Sequence, residues 1–352
     1  MDVIGLDTAP PPITLLGFGP AWGAPSADAA CTKAHAWMRI CGLKEGIDFA
    51  VQHCNNPSVA LGGELPVLRL PAGPHGARLA EPAELYDALA ALGHDPDARL
   101  SELERADSAA YTALIEERLG AALLHALWED EANYDAVIRP TFSSMLPAPL
   151  CFYAPWSMRR RVHSLLARRR LLGEGAAHAA GVSALRALAA RLGQRPFFHG
   201  SAPSGLDATA YAFLATVLRC PLPSDALRRS LRELPALVAF CERIEDGFIG
   251  SEGGSGRAPL LEAAAAARPP APPRTAEELE AALRKEDARA AAAAGAGAPP
   301  EQPKPKRTSA QERQRTRSRN TLLGAAFSAL VYVLATDSSG DAGAEEQQEQ
   351  EE

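Results

Sequence analysis

The chain has 352 residues, 47% of them hydrophobic, with 43 Asp and Glu against 36 Lys and Arg for a net charge of −7. That acidic balance, with no aromatic residue among the basic ones near the C-terminus, argues against nucleic-acid binding, and the apolar content is ample for a core over the first ~250 positions. No Lys or Arg precedes Lys33, so neither a secretory signal nor a basic presequence is expected, and six cysteines without a CxxC pair or a metal-ligand rhythm point to buried thiols in a reducing compartment.

Residues 1–12 are expected to be disordered. The apolar run Ile13 to Phe18 reads as a short buried strand, broken by Gly19, Pro20, Gly23 and Pro25. Ser26 is the expected N-cap of a helix running to about Ile40. A strand follows near Phe49 to Gln52, then a loop at Asn55 to Gly63, a strand from Leu65 to Leu70 entered through Pro66, and a helix from Glu84 to Leu92 ended by Gly93. This βαβ unit followed by strand and helix fills residues 13–95.

From Ser101 the pattern turns helical, with Leu103, Ala106, Ala110, Leu114, Leu119, Leu123 and Leu127 at spacings of three to five. Further helices fit Trp156 to Leu172, Gly181 to Leu192, Gly205 to Leu218 and Pro235 to Ile244, so 96–250 reads as an all-helical unit. Ser204-Gly205-Leu206-Asp207 is the sharpest local signal. A Ser N-cap with an acidic residue three positions on is a capping box, and the helix that it opens is apolar around its circumference and belongs in a core. The arginines of Arg159 to Arg161 and Arg168 to Arg170 read as the cationic face of a solvated helix.

Beyond Gly250 the composition shifts to Ala, Pro, Gly and Arg, so 251–319 reads as a disordered basic tether, within which Thr275 and Glu278 form a capping box for a short helix through Ala294. Lys304 to Arg319 then holds seven Lys and Arg, Thr321 to Thr336 holds no charge, and the acidic tail 337–352 holds seven Asp and Glu. The uncharged run carries Leu322, Leu323, Phe327, Leu330, Val331, Val333 and Leu334, so a helix there is apolar on every side, and 320–336 is expected to be a single C-terminal transmembrane anchor. Its length of roughly 24 Å is short for a ~30 Å hydrocarbon core, and its insertion gain is only about 3 kcal/mol. The basic flank places the bulk of the protein in the cytosol.

An α/β unit followed by an all-helical unit is the architecture of the glutathione-transferase fold: α+β, with a thioredoxin-like N-terminal domain, an all-helical C-terminal domain and here a C-terminal anchor. In such folds Leu65-Pro66-Val67-Leu68 matches the segment where a cis-proline precedes a strand; a plain loop-to-strand proline is the other reading of Pro66. Catalysis in that family needs a Tyr, Ser or Cys after the first strand and an acidic residue followed by Ser after the fourth. Ser26 is the only hydroxyl in the first loop, and the second position reads Glu81-Pro82, where Pro82 supplies neither hydroxyl nor N–H. Cys31 reads as a packing residue, no phosphate loop, zinc signature or triad is present, and no cofactor or metal is expected.

Dispersed over residues 13 to 245, the chain resembles the metaxin family. The likeness rests on Gly19-Pro20-Ala21-Trp22-Gly23-Ala24-Pro25-Ser26, the Asn56-Pro57 turn leading to Gly63-Glu64-Leu65-Pro66-Val67-Leu68-Arg69, and Leu127-Trp128-Glu129-Asp130-Glu131-Ala132-Asn133-Tyr134. Arg139-Pro140, Leu146-Pro147-Ala148-Pro149-Leu150 leading to Ser157-Met158-Arg159-Arg160-Arg161, Pro196-Phe197-Phe198-His199-Gly200, Pro203 to Asp207 and Leu222-Pro223 complete it. The resemblance implies a non-enzymatic, single-pass subunit in the mitochondrial outer membrane, facing the cytosol. Its implied partners are the barrel-forming core subunit of the sorting and assembly machinery, β-barrel precursor proteins, and a second metaxin-like subunit. Trp22, Trp128 and Tyr134 are candidate partner contacts, with a core-filling role over the first helix as the other reading of Trp22. An anchored glutathione transferase using Ser26 and a generic tethered interaction protein are the alternative functions.

Overall fold

The computed structural model describes residues 13–54, 64–73 and 76–250. Strand β1 (Ile13–Gly17), helix α1 (Ala29–Ile40) and strand β2 (Phe49–His53) form a parallel βαβ unit, to which β3 (Val67–Gly73) and β4 (Gly76–Ala80) add antiparallel in the order β2-β1-β3-β4. Central β1 pairs on both edges, with Leu15 opposite Val51 and Leu68, and four of its five residues are buried. Burial on both faces is why it reads as a continuous apolar run instead of an alternating one. Helix α2 (Leu85–Ala91) follows and ends before Gly93, whose φ of 82° is the left-handed stop that glycine permits.

Three local expectations are corrected. The cap of α1 is Asp28, whose carboxylate accepts from the Cys31 N–H at 2.9 Å, while Ser26 lies two residues before that cap. Strand β4 is absent from the expected elements, because Gly-Ala-Arg-Leu-Ala has no β-branched residue; it is held in the sheet by hairpin pairing with β3, Leu68 against Ala80 and Arg69 against Leu79. Pairing through that hairpin also extends β3 past Leu70 to Gly73.

The helical unit opens with α3 (Glu102–Leu114), capped by a reciprocal Ser101–Glu104 box, and continues through a π turn (Ile115–Leu119), α4 (Gly120–Leu124) and a second π turn (His125–Glu129). After extended Asp130 come α5 (Glu131–Asn133), a π turn (Tyr134–Ile138) and α6 (Arg139–Ser144). Helix α7 (Leu150–Arg168) begins six residues before the expected Trp156 and carries Pro155 inside it. A proline there leaves the carbonyl of residue 151 without its helical donor. The Ser143 hydroxyl donates to that Cys151 carbonyl at 2.9 Å, which satisfies it and lets the helix run through Pro155. Helix α8 (Glu174–Leu192) also starts earlier than Gly181, and α9 (Gly205–Arg219), α10 (Ala226–Arg232), α11 (Pro235–Ile244) and a closing π turn (Glu245–Ile249) complete the chain to Gly250.

One apolar core runs from Ile13 to Phe248 through both units. Helix α9 is its axis, with twelve of its fifteen residues buried, and α1 lies directly on it. That approach requires Gly205: a Cβ there would sit 2.7 Å from Trp37 Cη2 and 2.8 Å from Asp97 Oδ2. Polar groups pin the same seam. Arg39, 6% exposed on α1, donates to the Phe248 carbonyl at 2.8 Å and to Leu43 at 3.2 Å, and Lys33 pairs with Glu116 at 2.8 Å while lying over the Tyr86 ring.

Among the described residues no helix is long and apolar enough to cross a membrane. The expected anchor at 320–336, with Leu322, Leu323, Phe327, Leu330, Val331, Val333 and Leu334, lies outside the described residues, as do the tether, its short helix and the acidic tail.

Candidate functional site

In a sheet of this topology the chemistry belongs at the C-terminal end of β1, where the loop Phe18 to Pro25 meets the start of α1. The loop is built tightly. The Ala24 N–H donates to Ala21 at 2.8 Å, the Ala27 N–H to Gly19 at 2.9 Å, and Trp22 and Gly23 sit at φ 54° and 76°. Arg219, the last residue of α9, donates to the Gly23 carbonyl and also pairs with Glu245, so the helical unit clamps the loop from behind.

Each candidate reactive group here is already committed. The Ser26 hydroxyl, 4% exposed, donates to the Phe18 carbonyl at 2.9 Å and accepts from the Asp28 N–H at 3.2 Å. A hydroxyl so placed points into the protein's own backbone and not into a cleft. The N-terminus of α1, the natural seat for a thiolate or phosphate, is filled by the Asp28 carboxylate. Desolvation lifts the Asp28 carboxyl above its ordinary range in spite of its hydrogen bonds to the first turn. Cys31, 2% exposed, has its thiol pushed well above the usual cysteine range, first by burial and then by the Asp28 charge, the reverse of what a nucleophile requires. It fills the contact with β1, where a Cβ on Gly17 would come within 3.2 Å of its sulfur.

Opposite, the Leu65–Pro66 peptide bond is cis, and the Glu81 carbonyl receives the N–H groups of Glu84 and Leu85 at 2.9 Å as the chain turns into α2. Pro82 within that turn offers no donor to a bound carboxylate.

Trp22 is partly buried and packs against the core. Trp128 and Tyr134 are corrected. They are only 4% and 6% exposed, and Trp128 stacks with Tyr134 at 6.1 Å and Phe142 at 5.2 Å. Phe142 in turn meets Phe18 edge-on at 5.3 Å, and Arg159 lies 4.2 Å over the Tyr134 ring. The cluster fastens the helical unit to the end of β1 and presents no free aromatic face to a partner. The surrounding motif is structural for a second reason. Asp130 caps α5, and buried Asn133 donates to the Ala126 and Ser224 carbonyls at 2.9 Å and accepts from the Ser224 N–H at 2.8 Å, joining segments 91 residues apart.

Ser204 and Asp207 form the capping box of α9 in full burial. Asp207 Oδ2 accepts from the Ser204 N–H at 2.8 Å and from its hydroxyl at 2.6 Å, and Oδ1 accepts from the Phe198 N–H at 3.0 Å. Asp97 supplies a further cap by accepting from Gly205 N–H at 2.7 Å. Burial raises the Asp207 carboxyl to about 6 against these hydrogen bonds. The exposed apolar residues Leu150, Phe152 and Tyr153 fall before the expected start of α7 at Trp156; Phe152 and Tyr153 stand four and three residues from Trp156, the helical spacing that signals them.

Residues 31–159 match the family described as outer mitochondrial membrane transport complex protein, and 181–244 match the glutathione S-transferase C-terminal domain. The fold is therefore glutathione-transferase-like. Among relatives, metaxin-1 of Macaca fascicularis is 32% identical over 244 residues, covering 66% of this chain and 74% of the relative. Metaxin-3 of Danio rerio is 31% identical over 241 residues with the same coverage, 66% and 74%. Similar solved structures include a β-etherase of Sphingobium (TM-score 0.45, 15% identity, 72% of this chain and 99% of that one) and a glutathione S-transferase of Xanthobacter autotrophicus (0.41, 15%, 71% and 98%). The chain belongs to the metaxin family. It stands among outer mitochondrial membrane transport complex proteins.

Proposed function

We propose that this protein is a non-enzymatic, cytosol-facing binding module of the outer-membrane sorting and assembly machinery. It docks beside the barrel-forming core subunit, receives or retains β-barrel precursors, and pairs with a second metaxin-like subunit. Segment 320–336 anchors it by a single pass, with the basic run Lys304 to Arg319 on the cytosolic side.

The observation that carries the non-enzymatic part is the commitment of the Ser26 hydroxyl to the Phe18 carbonyl at 2.9 Å. A glutathione transferase holds a thiolate with a free donor at this place. Here the one hydroxyl, the helix N-terminus and the buried Cys31 are all consumed by structure, while the scaffold around them is intact. Family membership supports the transport reading.

The test is affinity purification of the full chain from mildly solubilised outer membranes. Recovery of the barrel-forming subunit in stoichiometric amount is expected. Recovery of the chain alone, together with retention on glutathione resin and turnover of a model electrophile, would replace this reading with the enzyme.

A further inference from the structure

The sheet ends on one side at β2, and the hydrogen bonds around that strand fix which of its main-chain groups are in use. The Cys54 N–H donates to the Gly17 carbonyl at 2.8 Å, and β1 pairs with β2 in parallel with Leu16 opposite Gln52. In a parallel ladder a residue turns its N–H and C=O to the same side, and the side alternates along the strand. Ala50, Gln52 and Cys54 therefore face β1, while Phe49, Val51 and His53 turn their main chain outward. The turn from Lys44 to Asp48 closes the first of these positions: the Gly46 N–H donates to the Phe49 carbonyl at 2.8 Å and the Phe49 N–H to the Lys44 carbonyl at 3.4 Å. Beyond it the edge is open. The outward N–H and C=O groups of Val51 and His53 have no partner among the described residues.

Soluble proteins guard such an edge with a lysine, a proline or a bulge, because it templates pairing with any exposed strand. None of these guards β2. Its sequence Phe-Ala-Val-Gln-His holds no Pro, Lys, Arg, Asp or Glu, and its register with β1 runs without a shift. The Gln52 side chain reaches inward across the sheet, accepting from Arg69 Nη1 at 3.2 Å, and so leaves the edge clear. Ile47, 66% exposed in the turn that closes Phe49, adds an apolar contact at one end. An occupant must bring unpaired main-chain donors and acceptors, carry no charge where it crosses Val51, and offer an apolar side chain to Ile47. An extended segment of alternating apolar and polar residues with a free edge of its own meets all three requirements. A strand of a barrel that has not yet closed is such a segment.

We propose that the outer edge of β2, at Val51 and His53, binds an unpaired strand of a β-barrel precursor as a fifth strand beside the four of the sheet. This rests on the cargo-binding part of the proposed function and gives it a place and a chemistry. Main-chain hydrogen bonds supply the affinity, so precursors of different sequence are accepted. Two residues of open edge make few such bonds, so the strand is held weakly and released readily.

The experiment takes the full chain in mild detergent and a synthetic peptide of about ten residues with alternating apolar and polar side chains, the length of a barrel strand. Residue-resolved hydrogen exchange is expected to slow roughly tenfold at the Val51 and His53 amides when peptide saturates the protein, while the Gln52 amide, already bonded to β1, stays as it was. Val51→Pro removes an outward donor and keeps the ladder to β1, since proline is tolerated on the open side of an edge strand. It should weaken peptide binding roughly tenfold at an unchanged melting temperature. Should that variant melt early, N-methylated peptides read the same bonds on the wild-type protein: methylating one alternate set of peptide amides should abolish the protection, and methylating the other set should leave it. Unchanged amides at saturating peptide, equal loss with both methylated sets, or wild-type affinity in a folded Val51→Pro overturns the proposal. Protection of the same amides that grows with protein concentration in the absence of peptide also overturns it, and makes β2 an interface between two copies of the chain. The proposed function is read separately, by recovery of the barrel-forming subunit with the wild-type chain.

Discussion

Replacing Asp207 by alanine tests whether the Ser204 box holds the core helix or serves another purpose. The carboxylate accepts from two buried backbone N–H groups, Ser204 at 2.8 Å and Phe198 at 3.0 Å, and both residues are 0% exposed. Orphaning two buried donors at about 1–3 kcal/mol each costs about 2–6 kcal/mol. Against this, burial lifts the carboxyl from 3.8 to about 6, so its ionised form at neutral pH carries a penalty of about 3 kcal/mol that alanine removes. At about pH 7 the two effects offset in large part and leave a net loss of at most about 3 kcal/mol. A pH series separates the two effects. Because the folded pKa lies above the unfolded one, the native state binds the proton more tightly. The resulting stability is full below about pH 4 and is lost as pH rises through about 6. From about pH 7 down to about pH 5 the wild type gains about 1 kcal/mol that the alanine variant lacks. Urea unfolding of the full chain, followed by far-ultraviolet circular dichroism at both pH values, should show the gap widening in acid. A gap that stays constant or narrows would refute the buried-carboxyl argument. Unchanged stability with lost partner binding would make the motif a contact surface.

Gly205→Ala should lower stability by about 1–3 kcal/mol, because its Cβ collides with Trp37, and Trp37→Leu should recover part of that loss in the double variant's thermal melt. Leu330→Arg should act like truncation before Asn320 and release the protein from alkali-washed membranes, since a penalty of ~3 kcal/mol matches the whole insertion gain; retention of either variant would remove the anchor from the proposed function. Pro82→Ser should confer no glutathione turnover, because Ser26 remains bonded to Phe18 and the start of α1 remains filled by Asp28; micromolar glutathione binding by the wild type, or turnover abolished by Ser26→Ala, would reverse that reasoning.

Much of the architecture is legible along the chain because it is encoded locally. The apolar run at β1, the helical spacing after Ser101, the glycine stop at Gly93 and the Ser204–Asp207 box each depend on residues within a few positions of one another. A proline at position 82 likewise lacks its N–H in any fold, so that much is read from the sequence alone. The tertiary structure decided whatever depends on a distant partner. Strand β4 exists because β3 lies beside it, and α7 runs through Pro155 because Ser143 supplies the donor that proline withholds. Trp128 and Tyr134, candidate partner contacts under the resemblance, pack on Phe142 and under Arg159, so the direction of a ring emerged only from packing. Ser26 has the chemistry of a helix cap, yet Asp28 is the cap, and the Ser26 hydroxyl donates instead to a carbonyl eight residues earlier, brought near by the turn at Trp22 and Gly23. Periodicity and capping are short-range and survive in one dimension, whereas the partner of a hydrogen bond and the side from which water is excluded are properties of the folded whole.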